Sequence, residues 1–350
     1  MRKKIALIIV GVLAGLIVWQ WELVNYGWMQ ARGQLRILWN TKPVSEVLAD
    51  PVYPDSLKRQ LKLIREIKRF AIDSLGLDKS GSYESFYDQR GKPILWVITA
   101  AQPYQLVARQ WHFPIIGTFS YKGFFEKDRA DEQIDALKKE GLDTRVGEVS
   151  AWSTLGFLND PILSSFLDRP VGSLAELIIH ELTHGTLFVK NSLEYNENLA
   201  DFVGEYGALR FMAQKYGKES APYRDYLATK EFYGRYDEHI LRGTRSLDSL
   251  YQSFAFKPKT PTVVKDSLKW QTIRQIVVTS DTIADERGKT NARLVKKRRL
   301  DKLNLPNNAY FIGYLTYRKQ QNRFRQEFEN RFQSNFTRYL TYLKQTYPSL

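Results

Sequence analysis

Residues 180–184 read His180-Glu181-Leu182-Thr183-His184, and a second cluster, Asn196-Glu197-Asn198-Leu199-Ala200-Asp201, begins twelve positions after His184. Two imidazoles four residues apart turn through ~400° of helix, so they project from a common face. With a glutamate between them and a carboxylate on a second helix, they form a set able to hold a divalent metal and activate water. The chain has only four histidines, and two of them make this pair. A buried amphipathic helix with hydrogen-bonded histidines would account for either one alone. It would not account for three correctly spaced groups.

Ser173-Leu174-Ala175-Glu176 has the form of a capping box, which predicts that the histidine helix starts there. Leu174, Leu177, Ile178 and Leu182 supply its buried stripe. A hydrolytic metal site needs three protein ligands and an open position, so a third ligand must come from elsewhere. Residues 191–217 read as one helix, with Leu199, Phe202, Val203, Tyr206 and Leu209 at helical intervals. On it Glu197 is the first choice as ligand, then Glu194, then Glu205. Glu197 and Asp201 lie four apart, so one can bind metal while the other orients a ligating imidazole through its free ring N–H. Asn196 is placed with Asp201 in this supporting role.

At these residues the chain is similar to known proteins. HELTH followed by NENLAD resembles the gluzincin pattern of thermolysin-like metallopeptidases, with Ala200 where those often have serine and a much shorter gap between the motifs. The chain resembles more closely the bacterial putative aminopeptidase family, a membrane-associated group of HExxH zincins. That resemblance runs over Gly33-Gln34-Leu35 with Lys42-Pro43-Val44, Arg69-Phe70-Ala71, 117–125, Ala151 through Gly156 with Asp160-Pro161, 179–186, 196–204 and Asn307-Asn308-Ala309. It implies an α+β, zincin-like core with an HExxH helix, a following ligand helix and a mostly helical C-terminal part. It agrees with the chemistry of the residues: Zn2+ on His180, His184 and Glu197, and Glu181 taking a proton from water and passing it to the leaving amine.

Amide hydrolysis also needs a donor for the tetrahedral oxyanion. Tyr310, Tyr314 and Tyr317 follow Asn307-Asn308, a helix-capping pair, and are candidates, although in a chain of 20 tyrosines packing is the ordinary role. Peptides are commonly held as an added strand, and residues 146–155 form the best candidate edge, with Trp152, Ser153 and Gly156 towards substrate. An ordinary core strand ended by Asn159-Asp160-Pro161 fits the same residues. An aminopeptidase needs a carboxylate for the free amine, and Glu148, Asp160 and Glu205 qualify. Three classes follow: a zinc aminopeptidase of the cell envelope, a zinc endopeptidase acting on envelope proteins, and a non-enzymatic envelope protein that keeps the metal helix. Glu181 speaks against the last, since a scaffold has no use for a base between two ligands.

Arg2, Lys3 and Lys4 precede an apolar run ending near Trp19, without a small-residue cleavage site after it. Residues 1–30 are therefore expected to be an uncleaved single-pass inner-membrane anchor, with Trp19 and Trp21 at the interface and residues 31–350 on the extracytoplasmic side. The lack of cysteine excludes disulfides and lipid attachment through that residue. The net charge of +14 is high, yet Lys296-Lys297-Arg298-Arg299 lacks interleaved aromatics, so a solvated or headgroup-facing surface is expected rather than nucleic acid. The expected partners are thus a peptide or protein substrate and the membrane.

Along the rest of the chain, Asp55 or Ser56 opens a helix with Leu57, Leu61, Ile64, Phe70 and Ala71 on one side, 93–99 is a strand, and 126–140 is a helix that Gly141 ends. Helices dominate from about residue 220 to 350. Phe324, Phe328, Phe332 and Phe336 predict one final helix with an aromatic stripe. Residues 255–290 carry no clear signal beyond a connection at Pro258 and Pro261.

Overall fold

The computed structural model describes residues 18–113, 117–149, 158–280, 283, 305–318 and 321–347, together with 3, 4, 11 and 15. It opens with helix α1 (Trp21–Trp39), whose faces differ sharply. Met29, Gly33 and Ile37 are buried, while Trp21, Trp28 and Trp39 stand in solvent. The buried face is sewn to the rest of the chain: the Tyr26 hydroxyl and the Gln30 amide both donate to the Gly123 carbonyl, at 2.9 and 2.7 Å. Gly33 lies against the Phe125 ring, where a Cβ would fall 2.2 Å from ring carbons.

Among the described residues no helix is long and apolar enough to cross a membrane. This overturns the expected single-pass anchor. The physical reason lies in α1, which runs through the expected boundary at residue 30 and carries Glu22, Gln30, Arg32 and Arg36 in its 19 residues. Such a sequence suits a helix lying on a folded body rather than one in hydrocarbon.

Short strands follow: β1 (Lys42–Pro43), β2 (Ser85–Tyr87), β3 (Trp96–Ala101), β4 (Trp111–Phe113), β5 (Gly117–Phe119), β6 (Lys122–Phe124), β7 (Asp143–Glu148) and β8 (Ile162–Leu163). They make three small sheets, in the orders β1-β2-β8, β6-β3-β7 and β4-β5. In the second, β3 is central and antiparallel to both neighbours, with Ile98 facing Lys122 on one side and Val146 on the other. Of the edge strand expected over 146–155, residues 146–148 end β7, which lies at one edge of this sheet, and 150–155 lie outside the described residues. Trp152, Ser153 and Gly156 lie outside the described residues.

Helix α2 (Val44–Ala49) packs beside β1 and β2, α4 (Lys127–Lys139) lies on the β6-β3-β7 sheet, and α3 (Asp55–Asp73) packs on other helices. Helix α3 buries Leu61, Ile64, Ile67, Phe70 and Ala71, one face at helical spacing, and Gly141 adopts φ +78 just beyond α4. The remaining elements are helical: α5 (Val171–Thr186), α6 (Leu193–Tyr216), α7 (Ala221–Phe256), α8 (Thr262–Ser280), α9 (Asn308–Arg318), α10 (Gln321–Phe332) and α11 (Phe336–Thr346). The segment without clear sequence signal holds α8, whose Ile273, Ile276 and Val277 pack on α7.

Two local expectations are corrected. Helix α5 begins at Val171 after Pro170, two residues before Ser173, and no side chain caps it. Glu176 instead accepts from the Tyr226 hydroxyl and Lys230, at 2.9 and 2.7 Å, so no capping box forms. The phenylalanine stripe spans two helices rather than one. Gln333 and Ser334 take left-handed φ of +51 and +57, and Asn335 caps α11 through the Arg338 N–H. All four rings are still buried in the main core, which also takes α3, α5 and α6.

Candidate metal centre and active site

Helices α5 and α6 cross at the place where their chemistry must meet. Gly204 of α6 allows the approach: a Cβ there would sit 2.8 Å from the Glu176 carbonyl oxygen and 3.3 Å from the His180 Cβ. One turn on, Gly207 lies against Ile179 and Leu75 in the same way. Leu174, Ile178 and Leu182 are buried, which fixes the rotation of α5, and Ile179 and His180 meet the glycines of α6.

The face towards α6 carries both imidazoles. His180 Nε2 and His184 Nε2 are 3.1 Å apart, with Glu197 oxygens 3.5 Å from the first and 3.7 Å from the second. Metal–nitrogen and metal–oxygen bonds of about 2.0–2.2 Å in a tetrahedral site place the ligand atoms roughly 3.3 Å from one another, so these separations fit one ion. Among the described residues this is the trio that could hold a metal. The expectation of a His-His-Glu set therefore matches the geometry, while Glu194 and Glu205 stand apart from it. Glu205 is engaged by Lys230 at 3.1 Å and Arg325 at 2.6 Å.

Asp201 occupies the orienting position expected of it. Its Oδ1 lies 3.0 Å from His180 Nδ1, so the ring's N–H donates there and Nε2 is left facing Glu197 and His184. Burial disfavours charge on His180, but hydrogen bonding to Asp201 and Glu197 outweighs it and holds the imidazole well above the usual histidine range. Burial likewise works against ionised Glu197. The charge of His184 and hydrogen bonds from both imidazoles prevail and keep this carboxyl well below the usual carboxylate range. His184 is buried, its ring 5.7 Å from Phe188, and its Nδ1 has no hydrogen-bond partner among the described residues.

Asn196 does not support a ligand directly. Its side chain accepts from the Val189 N–H and donates to the Val189 carbonyl, both at 2.8 Å. The loop between α5 and α6 has few backbone partners of its own, and a fully buried Asn196 supplies two. A second tie leaves this loop at Asn191, whose Oδ1 accepts from the Thr118 N–H at 3.2 Å and so fastens β5 to the site.

Glu181 is partly buried and makes no hydrogen bond or ion pair with any described residue. A carboxylate held beside a ligand cluster without a partner is available for proton transfer. Two tyrosines feel its charge. Tyr83 is buried at a left-handed φ of +66, and burial with the charges of Glu181 and Asp160 pushes its hydroxyl well above the usual range. Tyr121 is partly buried, and burial with the charges of Glu197 and Glu181 does the same. The sequence reading singled out neither residue. The signal was thin: Tyr121 falls inside the 117–125 stretch, and Tyr83 follows Gly81-Ser82, a turn-forming pair.

The tyrosines that were singled out lie elsewhere. Tyr310 and Tyr314 share a hydrogen bond of 3.2 Å, Tyr236 lies 3.1 Å from Tyr310, and all pack with α7 and α8 in the second apolar cluster. The side chain of Tyr317 lies outside the described residues. Asn307 does cap a helix, α9, accepting from the Ala309 N–H at 3.1 Å.

A family model described as Putative aminopeptidase matches residues 25–347. The chain belongs to this family. The match takes in both motif helices, the strands and α9 to α11. No curated protein and no solved structure matches the chain.

Proposed function

We propose that this family member is a zinc-dependent aminopeptidase with a zincin-like core. The observation that carries the reading is the convergence of His180, His184 and Glu197 at separations of 3.1 to 3.7 Å, with Glu181 on the same helix lacking a hydrogen-bond or ion-pair partner among the described residues. His180, His184 and Glu197 would hold the ion. When bound, zinc supplies Lewis acidity, polarising the scissile carbonyl and making water a nucleophile near neutral pH.

The chain's own residues do the rest. Asp201 fixes the tautomer of His180 so that its lone pair faces the centre. Glu181 accepts the proton from water and delivers it to the amide nitrogen as the C–N bond breaks, so no covalent acyl intermediate is needed. Of the carboxylates considered for the substrate amine, Glu205 is already neutralised by two cations, which leaves Asp160 and Glu148.

The test is metal analysis followed by digestion of peptides with free and blocked amino ends. About one zinc per chain is expected, lost on His180→Ala or Glu197→Ala, with cleavage confined to free amino ends. A protein that binds no metal sinks the reading. Cleavage of blocked peptides alone rejects the aminopeptidase part of it.

A further inference from the structure

A hydrolytic centre of this kind, on which the following rests, gathers negative charge on the carbonyl oxygen as water adds, and that charge needs a positioned donor. None of the residues assigned so far can be one. Glu181 and Glu197 are acceptors, and both imidazole Nε2 atoms face the metal position. The Tyr310 and Tyr314 hydroxyls are engaged with each other, with Tyr236 beside them.

Tyr121 is placed differently. With Ser120 it makes the two-residue connection between β5 and β6. Both ends of that connection are fixed. Strand β6 is laddered to β3, with Lys122 opposite Ile98, and β5 is bound through Thr118 to Asn191 in the loop joining the two metal-site helices. Gly117 seals the second attachment, since a Cβ on it would lie 2.2 Å from the Asn191 Oδ1. The Phe119 ring, 5.4 Å away and edge-on, flanks the tyrosine ring.

The hydroxyl has no hydrogen-bond partner among the described residues, although partly buried tyrosines usually find one. The charges felt there come from Glu197, a ligand, and Glu181, the base. In the proposed reaction both act at the scissile carbonyl. Tyr83 feels Glu181 as well, but its other charged neighbour is Asp160 and not a member of the ligand trio.

We infer that Tyr121 is a catalytic residue whose hydroxyl donates a hydrogen bond to the oxygen of the tetrahedral adduct. A neutral phenol suits the place. Lysine or arginine there would pair with Glu181 and disable the base, whereas a phenol between two carboxylates keeps its proton and remains a donor. The step balances without Tyr121 changing state: water's oxygen bonds to the carbonyl carbon, its proton passes through Glu181 to nitrogen, and the C–N bond breaks. The tyrosine O–H stays intact and its hydrogen bond tightens as charge builds.

The experiment is Tyr121→Phe in the full, metal-loaded chain, with Tyr83→Phe as the comparison. The expected result is unchanged zinc stoichiometry and KM, with kcat lower by about 10²–10³-fold. A phosphorus-based tetrahedral peptide mimic should lose affinity by a similar factor, while a product peptide binds as before. Tyr83→Phe should leave the mimic's affinity intact. The assignment is overturned if the mimic binds Tyr121→Phe as tightly as the parent, or if the variant loses zinc. If the parent cleaves no peptide at all, the hydrolytic reading fails first. If the parent cleaves and Tyr121→Phe matches it, only the tyrosine assignment fails.

Discussion

His180 Nδ1 stands 3.0 Å from Asp201 Oδ1, and Asp201 lies one turn beyond Glu197 on the same helix. One helix thus supplies both the carboxylate that would ligate and the carboxylate that hydrogen-bonds one of the candidate imidazoles. His184 lacks such a partner among the described residues. The alignment of the site therefore depends on the His180–Asp201 contact more than a symmetric site would.

Asp201→Asn keeps the shape of the side chain and removes its charge. Zinc affinity should fall about 10–100-fold, the usual consequence of losing a carboxylate behind a ligating histidine. Competition with a chromophoric chelator measures it. Affinity equal to that of the parent would mean that Asp201 only fills space.

Glu181→Gln separates chemistry from metal binding. Glu181 touches no ligand through a hydrogen bond or ion pair, so the variant should keep its zinc and its unfolding midpoint. Turnover should drop about 10²–10⁴-fold, the range for a lost general base. Parallel zinc analysis and peptide hydrolysis decide it, and loss of metal would place Glu181 among the ligands instead.

The ligand set could be read from the sequence because it rests on helical periodicity alone. Spacing of four puts His180 with His184 and Glu197 with Asp201, and the buried leucines fix which way each helix turns. What could not be read depended on partners distant in the chain. Glu176 looked like half of a capping box, but Tyr226 and Lys230, some fifty residues later, take its carboxylate. Asn196 looked like a support for the metal, but the backbone at Val189 needed it more. The first helix looked like the end of an anchor until Met29, Gly33 and Ile37 were seen to be buried on the folded body. Tyr121 sits in a two-residue connection between strands, and no periodicity marks such a residue.

Gly204→Ala sets two effects against each other. In an open helix, alanine for glycine stabilises by up to about 1 kcal/mol. Here the new Cβ meets a backbone carbonyl at 2.8 Å and the His180 Cβ at 3.3 Å, neither of which can swing aside. Overpacking of this kind costs about 1–3 kcal/mol, so the net should be destabilising, and zinc affinity should fall as α5 and α6 move apart. Urea unfolding of the metal-free chain gives the sign, and a stabilised variant would show that the helices do not pack so closely.

Proton and metal compete for His180, which gives opposite pH trends for the two forms of the protein. Burial opposes the charged ring, yet Asp201 and Glu197 raise its pKa in the fold above the unfolded value of about 6.5. The pairing of the imidazolium with those carboxylates therefore stabilises the metal-free chain in full below that unfolded value, and the contribution is lost as pH climbs through the folded one. Glu197, with its pKa held down, remains ionised across this range and adds no opposing trend. Zinc needs the neutral imidazole, so binding must expel the proton, and apparent affinity should keep tightening well above pH 6.5 until it passes the folded pKa of His180. Thermal unfolding of chelator-treated protein should show Tm falling over the same interval in which zinc titrations show affinity rising. A zinc affinity already level near pH 6.5 would mean that Asp201 and Glu197 do not hold a proton on His180.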